Sequence, residues 1–268
     1  MASSGTELSG KVAVITGASM GIGEAIAKVF ADQGARVVLL SRDAGRAEAA
    51  RARIGHIENT LAMACDVGHR EEIDRVLSLA LHHFGRVDIW VNNAGHGIMD
   101  SIAQADMASV RATFESNFFG TLMSMQAVIP VMKQQGCGAI INISSVAGHI
   151  PLPFHAIYSA TKFAMNAIGK AARVELQSAN IRVMTVCPGY VRTNFSANVI
   201  RGHEKNSVRP ASARGISADR VARAVLHGYR KRKREVVVPW FMHPVIKLYQ
   251  LFPGLVERGM TKMVKPKE

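Results

Sequence analysis

Tyr158 and Lys162 have the residue types and the spacing for proton transfer. They lie in AIYSATKFAMNAIG, a run of mostly small and apolar residues without an acidic side chain to pair with the lysine. On a helix, a spacing of four places both side chains on one face, one turn apart. Either the ammonium is partnered through the fold or it serves a reaction. Because Tyr229 and Lys233 repeat the spacing inside YRKRK, spacing alone does not decide between these readings.

The elements that must position this pair are predicted by alternating apolar and helical patterns. Seven short apolar runs read KVAVIT, ARVVLL, TLAMAC, VDIWVN, GAIINIS, IRVMTVC and EVVVPW, and helical periodicity fills most of the chain between them. Near-continuous Val and Ile runs are typical of parallel strands buried on both faces. The pattern predicts an α/β fold: a Rossmann-type, doubly wound, mostly parallel seven-stranded sheet with helices on both faces. Without a credible linker, residues 1–268 are predicted to form a single domain.

Polar motifs follow six of these runs in succession. They read TGASMGIG, SR, DV, NNAG, SS and PGYVRT. In doubly wound sheets, ligands bind outside the carboxyl ends of the strands, near the point where strand order reverses. The motifs therefore predict one ligand site at that edge.

The glycine-rich stretch between the first strand and its helix is typical of a phosphate site. Gly17, Gly21 and Gly23 allow a tight turn, and they let backbone amides approach a pyrophosphate at the positive end of the helix. Glycines alone are weak evidence, since turns favour them. Their position after a strand and before a helix favours dinucleotide binding.

Together the motifs resemble the short-chain dehydrogenase/reductase family. The chain has Thr-Gly, three residues and Gly-x-Gly, then NNAG at 92–95, a serine at 145, Tyr158 with Lys162, and Pro-Gly at 188–189, in the family's order. The resemblance covers roughly residues 8–240. It implies four catalytic residues: Asn117, Ser145, Tyr158 and Lys162. The cofactor-binding residues that it implies are Gly17, Ser19, Met20, Gly21, Ile22, Gly23, Ser41, Arg42, Asp66, Val67, Asn93, Ala94, Gly95, Tyr158, Lys162, Pro188, Gly189, Val191 and Thr193.

The tyrosine needs assistance to transfer a proton at neutral pH. An unperturbed tyrosine has a pKa of about 10. A nearby ammonium and an oxidised nicotinamide both favour phenolate, so we expect the pKa of Tyr158 to be lowered. Tyr158 would then act as general acid or base. The resemblance implies that Lys162 also binds the cofactor ribose.

Two further polar residues complete the expected machinery. The resemblance assigns Ser145, thirteen residues before Tyr158, to hold the substrate oxygen. Successive side chains of a strand alternate between its faces, so we expect Ser144 to point away from Tyr158. The alternative interpretation is that the paired serines cap the end of the strand. Asn117 in SNFFG matches the family asparagine thought to hold a water that relays protons toward Lys162.

The end of the second strand predicts the cofactor type. A carboxylate there would bind the ribose 2′-hydroxyl and repel a 2′-phosphate, but the sequence has Ser41 and Arg42. NADP(H) is therefore the expected cofactor. Met20 stands where family members often have a second cation. The alternative interpretation of Arg42 is an ordinary charge flanking a helix.

Charge and cysteine content limit the possible partners and compartment. The net charge is +13, but residues 1–200 have 17 basic and 15 acidic residues, whereas residues 201–268 have 16 and 5. No zinc-finger or aromatic RNA-binding motif accompanies the basic end, so we expect no nucleic-acid partner. Three scattered cysteines and the lack of a secretory signal favour the cytoplasm. The ten histidines form no recognisable ligand motif, and no metal is expected.

The last third of the chain carries two regions beyond these motifs. Residues 194–216 are predicted to form a substrate lid, because they follow the proposed active-site edge. Residues 240–268 form a basic and apolar C-terminal extension. It is interpreted as a terminal helix packed on the body or on a subunit partner, or as a peripheral anchor on anionic membrane. The nearby cations could also attract a phosphorylated substrate such as an acyl-CoA.

The sequence thus predicts an NADP(H)-dependent oxidoreductase that moves a hydride between nicotinamide and a small-molecule carbonyl or secondary alcohol. The alternatives are a non-catalytic NADP(H)-sensing protein and a 3-ketoacyl-thioester reductase. By the resemblance, the protein is expected to form a homodimer or homotetramer through helices at about 106–135 and 158–178.

Overall fold

Seven parallel strands form the sheet that the apolar runs predict. The computed structural model describes residues 8–193, 195, 199–202 and 215–264. The strands are β1 (Val12–Thr16), β2 (Arg36–Ser41), β3 (Thr60–Ala64), β4 (Ile89–Asn92), β5 (Gly138–Ile143), β6 (Ile181–Pro188) and β7 (Glu235–Val238). Their order is β3-β2-β1-β4-β5-β6-β7, and every neighbouring pair is parallel. The strand order reverses between β1 and β4, so the predicted doubly wound sheet is confirmed.

Helices cover both faces of this sheet. They are α1 (Gly21–Ala31), α2 (Ala44–Ile54), α3 (Arg70–Phe84), α4 (Met107–Phe114), α5 (Gly120–Gln134), α6 (Ala156–Glu175), α7 (Ala218–Arg230), α8 (Met242–Leu251) and α9 (Pro253–Val264). Ile15 of β1 packs in the apolar layer that contains α1 and α7, and its neighbour Val14 packs in the layer that contains α3 and α5. Each strand therefore buries both of its faces, as near-continuous apolar runs require.

A buried carboxylate fixes the first and fourth strands at their amino ends. Asp88 is 4% exposed, and it accepts hydrogen bonds from the Lys11 ammonium (3.0 Å), the Val12 amide (3.0 Å) and the Arg86 guanidinium (2.7 and 2.8 Å). Burial alone would raise its pKa, but these hydrogen bonds outweigh burial, and the pKa of Asp88 is lowered. The ionised carboxylate therefore holds β1 and β4 in register on either side of the strand-order reversal.

The predicted long helix at 106–135 contains a π-helical turn. Residues Glu115–Phe119 separate α4 from α5 without interrupting the helical path. Gly120 follows this turn, and a Cβ there would lie 2.8 Å from Val67. π-Helical turns occur frequently at functional sites, and this one contains Asn117.

Several predicted regions are only partly described. The proposed lid at 194–216 lies largely outside the described residues. Two short strand pairs include parts of it, one joining Ile98–Met99 to Ile200–Arg201 and the other joining Val191–Arg192 to Ile216–Ser217. The division into one domain remains a prediction.

The C-terminal extension forms α8 and α9 as far as it is described. Ile246 is buried with Val146, Ile150 and Val237, so α8 packs on the body of the protein. The same segment exposes a C-terminal apolar patch, made of Trp240, Phe241, Val245, Leu248, Leu251, Phe252 and Leu255. Among the described residues, no helix combines the length and apolarity needed to cross a bilayer.

The basic run and the apolar patch lie at opposite ends of β7. Arg230 to Arg234 precede the strand, whereas Trp240 follows it. The apolar patch has cations of its own, since Lys247 lies in α8 and Arg258 lies in α9. Since ligands of such a sheet bind at the carboxyl ends of its strands, the run also lies at the edge away from the predicted site.

Candidate active site

The turn after β1 forms a cradle that stays open because its glycines have no side chains. Gly17 and Gly21 have φ angles of +64° and +63°. A Cβ on Gly23 would lie 2.4 Å from the Gly17 carbonyl oxygen and 2.5 Å from Asn93 Nδ2, closer than any real contact. The start of α1 thus approaches the turn without an intervening side chain. Such a cradle at a helix N-terminus fits a pyrophosphate.

The loop after β4 is bound directly to this turn. Asn93 Nδ2 donates to the carbonyl oxygens of Thr16 (2.9 Å) and Gly17 (3.0 Å). The Thr16 hydroxyl accepts from the amides of Asn93 (2.9 Å) and Ala94 (3.0 Å). The NNAG motif therefore joins the two strand ends on either side of the point where strand order reverses.

Tyr158 and Ser145 meet at the carboxyl edge of the sheet. Ser145 follows β5, and Tyr158 lies in the first turn of α6, where its side chain hydrogen-bonds with Ser145. The Ser145 hydroxyl also accepts from the Ala147 amide at 3.0 Å, so it is a local cap as well. The Ser144 hydroxyl donates instead to the Lys162 carbonyl oxygen at 3.4 Å. Of the two serines, Ser145 contacts the tyrosine, as the strand alternation predicts.

The protein's own groups raise the pKa of Tyr158, whereas the expected lowering includes the charge of an oxidised nicotinamide. Burial raises the pKa of Tyr158 to about 12, and the hydrogen bond with Ser145 only partly opposes this rise. The Lys162 Nζ lies 5.7 Å from the centroid of the phenol ring, and it donates to the Ile143 carbonyl oxygen at 3.0 Å. Among the protein's own groups, desolvation of the phenolate therefore raises the Tyr158 pKa more than the hydrogen bond with Ser145 lowers it.

Among the residues that the structure describes, no carboxylate contacts the buried Lys162 ammonium. Its side chain is 4% exposed, and burial lowers its pKa to about 8. Its ammonium is oriented by a backbone carbonyl, so the partner that the sequence left open is a backbone group. In the second Tyr-Lys pair, Lys233 lies beyond the end of α7 at the amino edge of the sheet. That pair is accidental.

The motifs and the fold both match a known family. Residues 11–204 match the short chain dehydrogenase family. The chain belongs to the short-chain dehydrogenase/reductase family. It is 33% identical over 263 residues to mouse dehydrogenase/reductase SDR family member 7B, covering 95% of this chain and 81% of the mouse protein. An uncharacterised oxidoreductase from Staphylococcus saprophyticus is 37% identical over 201 residues, covering 74% of this chain and 86% of that protein.

Two solved structures resemble the fold closely. The 3-ketoacyl-(acyl-carrier-protein) reductase from Brucella melitensis, complexed with NADH, has a TM-score of 0.78 and 32% identity, covering 87% of this chain and 98% of that chain. A short-chain dehydrogenase/reductase from Burkholderia phymatum, in complex with NAD, has a TM-score of 0.84 at 23% identity, covering 93% and 96%. The protein is therefore an oxidoreductase of the short-chain dehydrogenase/reductase family.

Asn117 serves as a link between three elements in this family member. It is completely buried. Its Nδ2 donates to the His96 carbonyl oxygen (2.9 Å) and to the Thr161 hydroxyl (3.1 Å), and its Oδ1 accepts from the His96 amide (3.0 Å). The π-helical turn thus holds the loop after β4 against α6, next to Lys162.

The end of β2 presents one cation to the edge of the site. Ser41 is buried, Arg42 is exposed, and Asp43 caps α2 by accepting from the Arg46 amide at 2.7 Å. Burial, and after it the Arg42 charge, lower the pKa of His96. The field of Arg42 therefore reaches the loop after β4.

Sequence reasoning missed two other arginines near this edge. A surface hollow of about 480 Å³ lies beside the glycine turn, with Arg46 and Arg53 among its lining residues. Arg53 donates to the Ser19 carbonyl oxygen (3.1 Å) and pairs with Glu24 (2.7 Å). Their position in the first and last turns of α2 was visible in the sequence, but only the packing of α2 beside α1 brings them to the turn.

The remaining predicted cofactor residues lie at the same edge. The Asp66 carboxylate accepts from the Gly68 amide at 2.9 Å, and Val67 packs on Gly120. Ser19, Met20 and Ile22 belong to the turn and the start of α1, and Gly95 lies against Asn117. Pro188 ends β6, and the Gly189 amide donates to the Val238 carbonyl oxygen at 2.7 Å.

Residues after β6 close one side of the site. Val191 lies in a short strand, and the Thr193 side chain is 3.4 Å from the Cβ position of Gly21. Phe195 places its ring centroid 5.8 Å from that of Tyr158. Phe195 belongs to the segment 194–216 that the sequence predicts as a substrate lid, but no pattern within NFSAN singles it out as the residue that contacts Tyr158.

Proposed function

We propose that this protein is an NADP(H)-dependent oxidoreductase that transfers a hydride between nicotinamide and a carbonyl or secondary alcohol. One observation carries the proposal: the hydrogen-bonded Ser145 and Tyr158, with buried Lys162 beside them, lie at the same sheet edge as the glycine cradle. The cradle supports a dinucleotide with its pyrophosphate at α1. When bound, the nicotinamide supplies the hydride.

In this mechanism, Tyr158 is the proton donor for carbonyl reduction. Its raised pKa keeps the phenol protonated at neutral pH, and an alkoxide formed from the substrate is a much stronger base than a phenolate. Ser145 orients the substrate oxygen through its hydroxyl. Lys162 contributes positive charge near the phenol, since a pKa of about 8 leaves it mostly protonated at pH 7. Asn117 positions the loop after β4 and α6 rather than touching substrate.

Arg42 and Arg46 support NADP(H) over NAD(H). Arg42 directly follows β2, and the first carboxylate after that strand is Asp43. The Asp43 carboxylate already caps α2. Arg46 lines the hollow beside the glycine turn, one turn further along. A 2′-phosphate between them would form charge-assisted hydrogen bonds. Arg53 is less available, because Glu24 neutralises it.

Cofactor preference is tested by comparing Kd values for NADPH and NADH. We expect Arg42→Ala to weaken NADPH binding by about 10-fold to 100-fold, the effect of one lost charge-assisted hydrogen bond, while NADH binding is unchanged. Arg46→Ala should have the same selectivity with a smaller effect. Arg70→Ala is the control, because Arg70 pairs with Asp74 on α3. Equal losses for both cofactors would contradict the proposal.

The substrate class is tested with a panel of carbonyls. Aliphatic, aromatic, steroid, retinoid and acyl-thioester carbonyls are compared by NADPH absorbance, with NADH as control. A 3-ketoacyl thioester is the second candidate substrate, favoured by the 32% identity to the Brucella reductase. No turnover with any carbonyl or matching alcohol would favour the non-catalytic NADP(H)-sensing alternative.

We further propose that the protein works as a homodimer or homotetramer. Phe119, beside α5, and Phe163 and Val174, on α6, expose large apolar side chains, and Val174 is 75% exposed. These are the helices expected at the subunit contact. Size-exclusion chromatography with light scattering tests this, and a monomer at micromolar concentration would contradict it.

A further inference from the structure

A histidine, a cysteine and a glutamate meet beneath the active-site edge, although they lie far apart in the sequence. His149 follows β5, Cys187 lies near the end of β6, and Glu235 begins β7. His149 Nε2 is 3.4 Å from Cys187 Sγ and 3.4 Å from a Glu235 carboxylate oxygen. All three ligand atoms lie within 4.8 Å of one another. The proposed oxidoreductase reaction uses none of these side chains.

Burial separates this cluster from an ordinary surface group of polar residues. The His149 side chain is 6% exposed, Cys187 is fully buried, and Glu235 is 29% exposed. The cluster adjoins the apolar contact where Val237 and Ile246 pack. Glu235 therefore provides both a ligand and a route from solvent.

His149 Nε2 cannot form a hydrogen bond with the Glu235 carboxylate and with Asn166 Nδ2 at the same time. Nε2 carries either one proton or one lone pair. A protonated Nε2 suits the carboxylate, but Asn166 Nδ2, itself a donor to the Gly148 carbonyl oxygen (2.8 Å), approaches Nε2 at 3.5 Å. An unprotonated Nε2 suits Asn166, but its lone pair then faces the carboxylate. A cation between the nitrogen and the carboxylate removes the second of these conflicts, because it takes up the Nε2 lone pair and faces the carboxylate with positive charge, while Asn166 keeps the Gly148 carbonyl oxygen as its acceptor.

The distances resemble the edges of a tetrahedral zinc site. Zn²⁺ binds Cys sulfur at about 2.3 Å and His nitrogen or carboxylate oxygen at about 2.0–2.2 Å, so its ligand atoms lie about 3.3–3.5 Å apart. Two edges at 3.4 Å agree with this spacing. Rotation of the partly exposed glutamate side chain can close the third edge.

We propose that His149, Cys187 and Glu235 bind a zinc-type divalent cation, with water as the fourth ligand. Binding releases the Cys187 thiol proton to solvent, and the thiolate, imidazole and carboxylate then complete the coordination. The ion would fasten the loop after β5 to the end of β6 and the start of β7. Sequence motifs could not show this site, because its ligands are separated by 38 and 48 residues.

Cobalt binding tests the site by a signal that does not depend on turnover. The metal-free full-length protein is titrated with Co²⁺, which reports thiolate ligation through a near-ultraviolet charge-transfer band and tetrahedral geometry through visible bands. We expect saturation at one equivalent and displacement by Zn²⁺. Cys187→Ala should abolish the charge-transfer band, and Glu235→Gln should weaken Co²⁺ binding at least about tenfold. Cys137→Ser, which changes a cysteine outside the cluster, should leave the titration unchanged.

Circular dichroism and thermal melting accompany each titration. Glu235→Gln preserves side-chain shape, so it tests the site even if Cys187→Ala fails to fold. At the same Zn²⁺ concentration, the Tm of the wild-type protein should rise more than that of Glu235→Gln. Lack of the charge-transfer band in wild type, or the same band in folded Cys187→Ala, would overturn the proposal. A Tm increase without that band places the ion elsewhere and overturns it as well. NADPH binding by the metal-free protein distinguishes failure of this site from failure of the proposed function.

Discussion

Replacing Gly23 with alanine tests whether the turn after β1 is shaped for close approach. The new Cβ would lie 2.4 Å from the Gly17 carbonyl oxygen and 2.5 Å from Asn93 Nδ2, against an ordinary contact distance of 3.4 Å or more. Those two atoms form a hydrogen bond at 3.0 Å. The methyl group must therefore separate the start of α1 from the loop after β4 by about 1 Å.

The expected loss of stability follows from three effects. Overpacking costs about 1–3 kcal/mol, and loss of the Asn93 hydrogen bond costs about 0.5–1.5 kcal/mol. Alanine is favoured over glycine inside a helix by about 1 kcal/mol, which offsets part of this. We expect the free energy of unfolding to fall by about 2 kcal/mol, a decrease in Tm of about 4–8 °C. NADPH affinity should fall at the same time, because the displaced amides form the proposed pyrophosphate site.

Urea unfolding and NADPH fluorescence titration measure the two effects. Gly259→Ala is the matched control, since Gly259 lies inside α9 and a Cβ there would meet nothing within 4 Å. The control should be as stable as wild type or more stable, with unchanged NADPH binding. A Gly23→Ala protein with wild-type stability and wild-type Kd for NADPH would refute the reasoning.

Three other predictions concern separate parts of the molecule. Asp88→Asn should lower the free energy of unfolding at pH 7 by about 1–3 kcal/mol. Because the pKa of Asp88 is lowered in the fold, the stabilisation by its carboxylate is present above pH 4 and is lost as pH falls. Urea unfolding at pH 3 should therefore show a smaller difference between wild type and Asp88→Asn. Ser145→Ala should reduce kcat by about 10-fold to 100-fold. Ser144→Ala removes only a hydrogen bond to the Lys162 carbonyl oxygen and should leave kcat near wild type. Equal losses of kcat in the two variants would contradict the role given to Ser145. Peripheral membrane attachment remains a prediction: the protein should float with anionic liposomes at low salt, and Trp240→Ser with Leu251→Ser should reduce flotation, whereas lack of flotation at any salt concentration would exclude it.

Most of the sheet could be predicted from sequence because parallel strands buried on both faces leave a simple signature. The runs KVAVIT and IRVMTVC, for example, correspond to β1 and β6. The turn motifs were equally informative, since a glycine turn between a strand and a helix has few other uses. The helical periodicity between the runs corresponds to helices such as α2 and α3, each of which ends at a glycine.

What the sequence could not predict depends on tertiary packing. The rise in the pKa of Tyr158 comes from desolvation, which no local pattern reports. Arg46 reaches the site only because α2 packs beside the glycine turn, and within the predicted lid no local pattern distinguishes Phe195 as the residue beside Tyr158. Adjacency in the sequence also hid the length of β7 that separates the basic run from the apolar patch.

The central claim is that the Tyr158 hydroxyl transfers the proton during turnover, and Tyr158→Phe tests it most directly. Kinetics with the best carbonyl from the panel should show kcat lowered by about 10²-fold to 10⁴-fold, with the Kd for NADPH near wild type. Tyr229→Phe, the tyrosine of the accidental pair, should retain full kcat. Undiminished turnover by Tyr158→Phe, with NADPH still bound, would contradict the account.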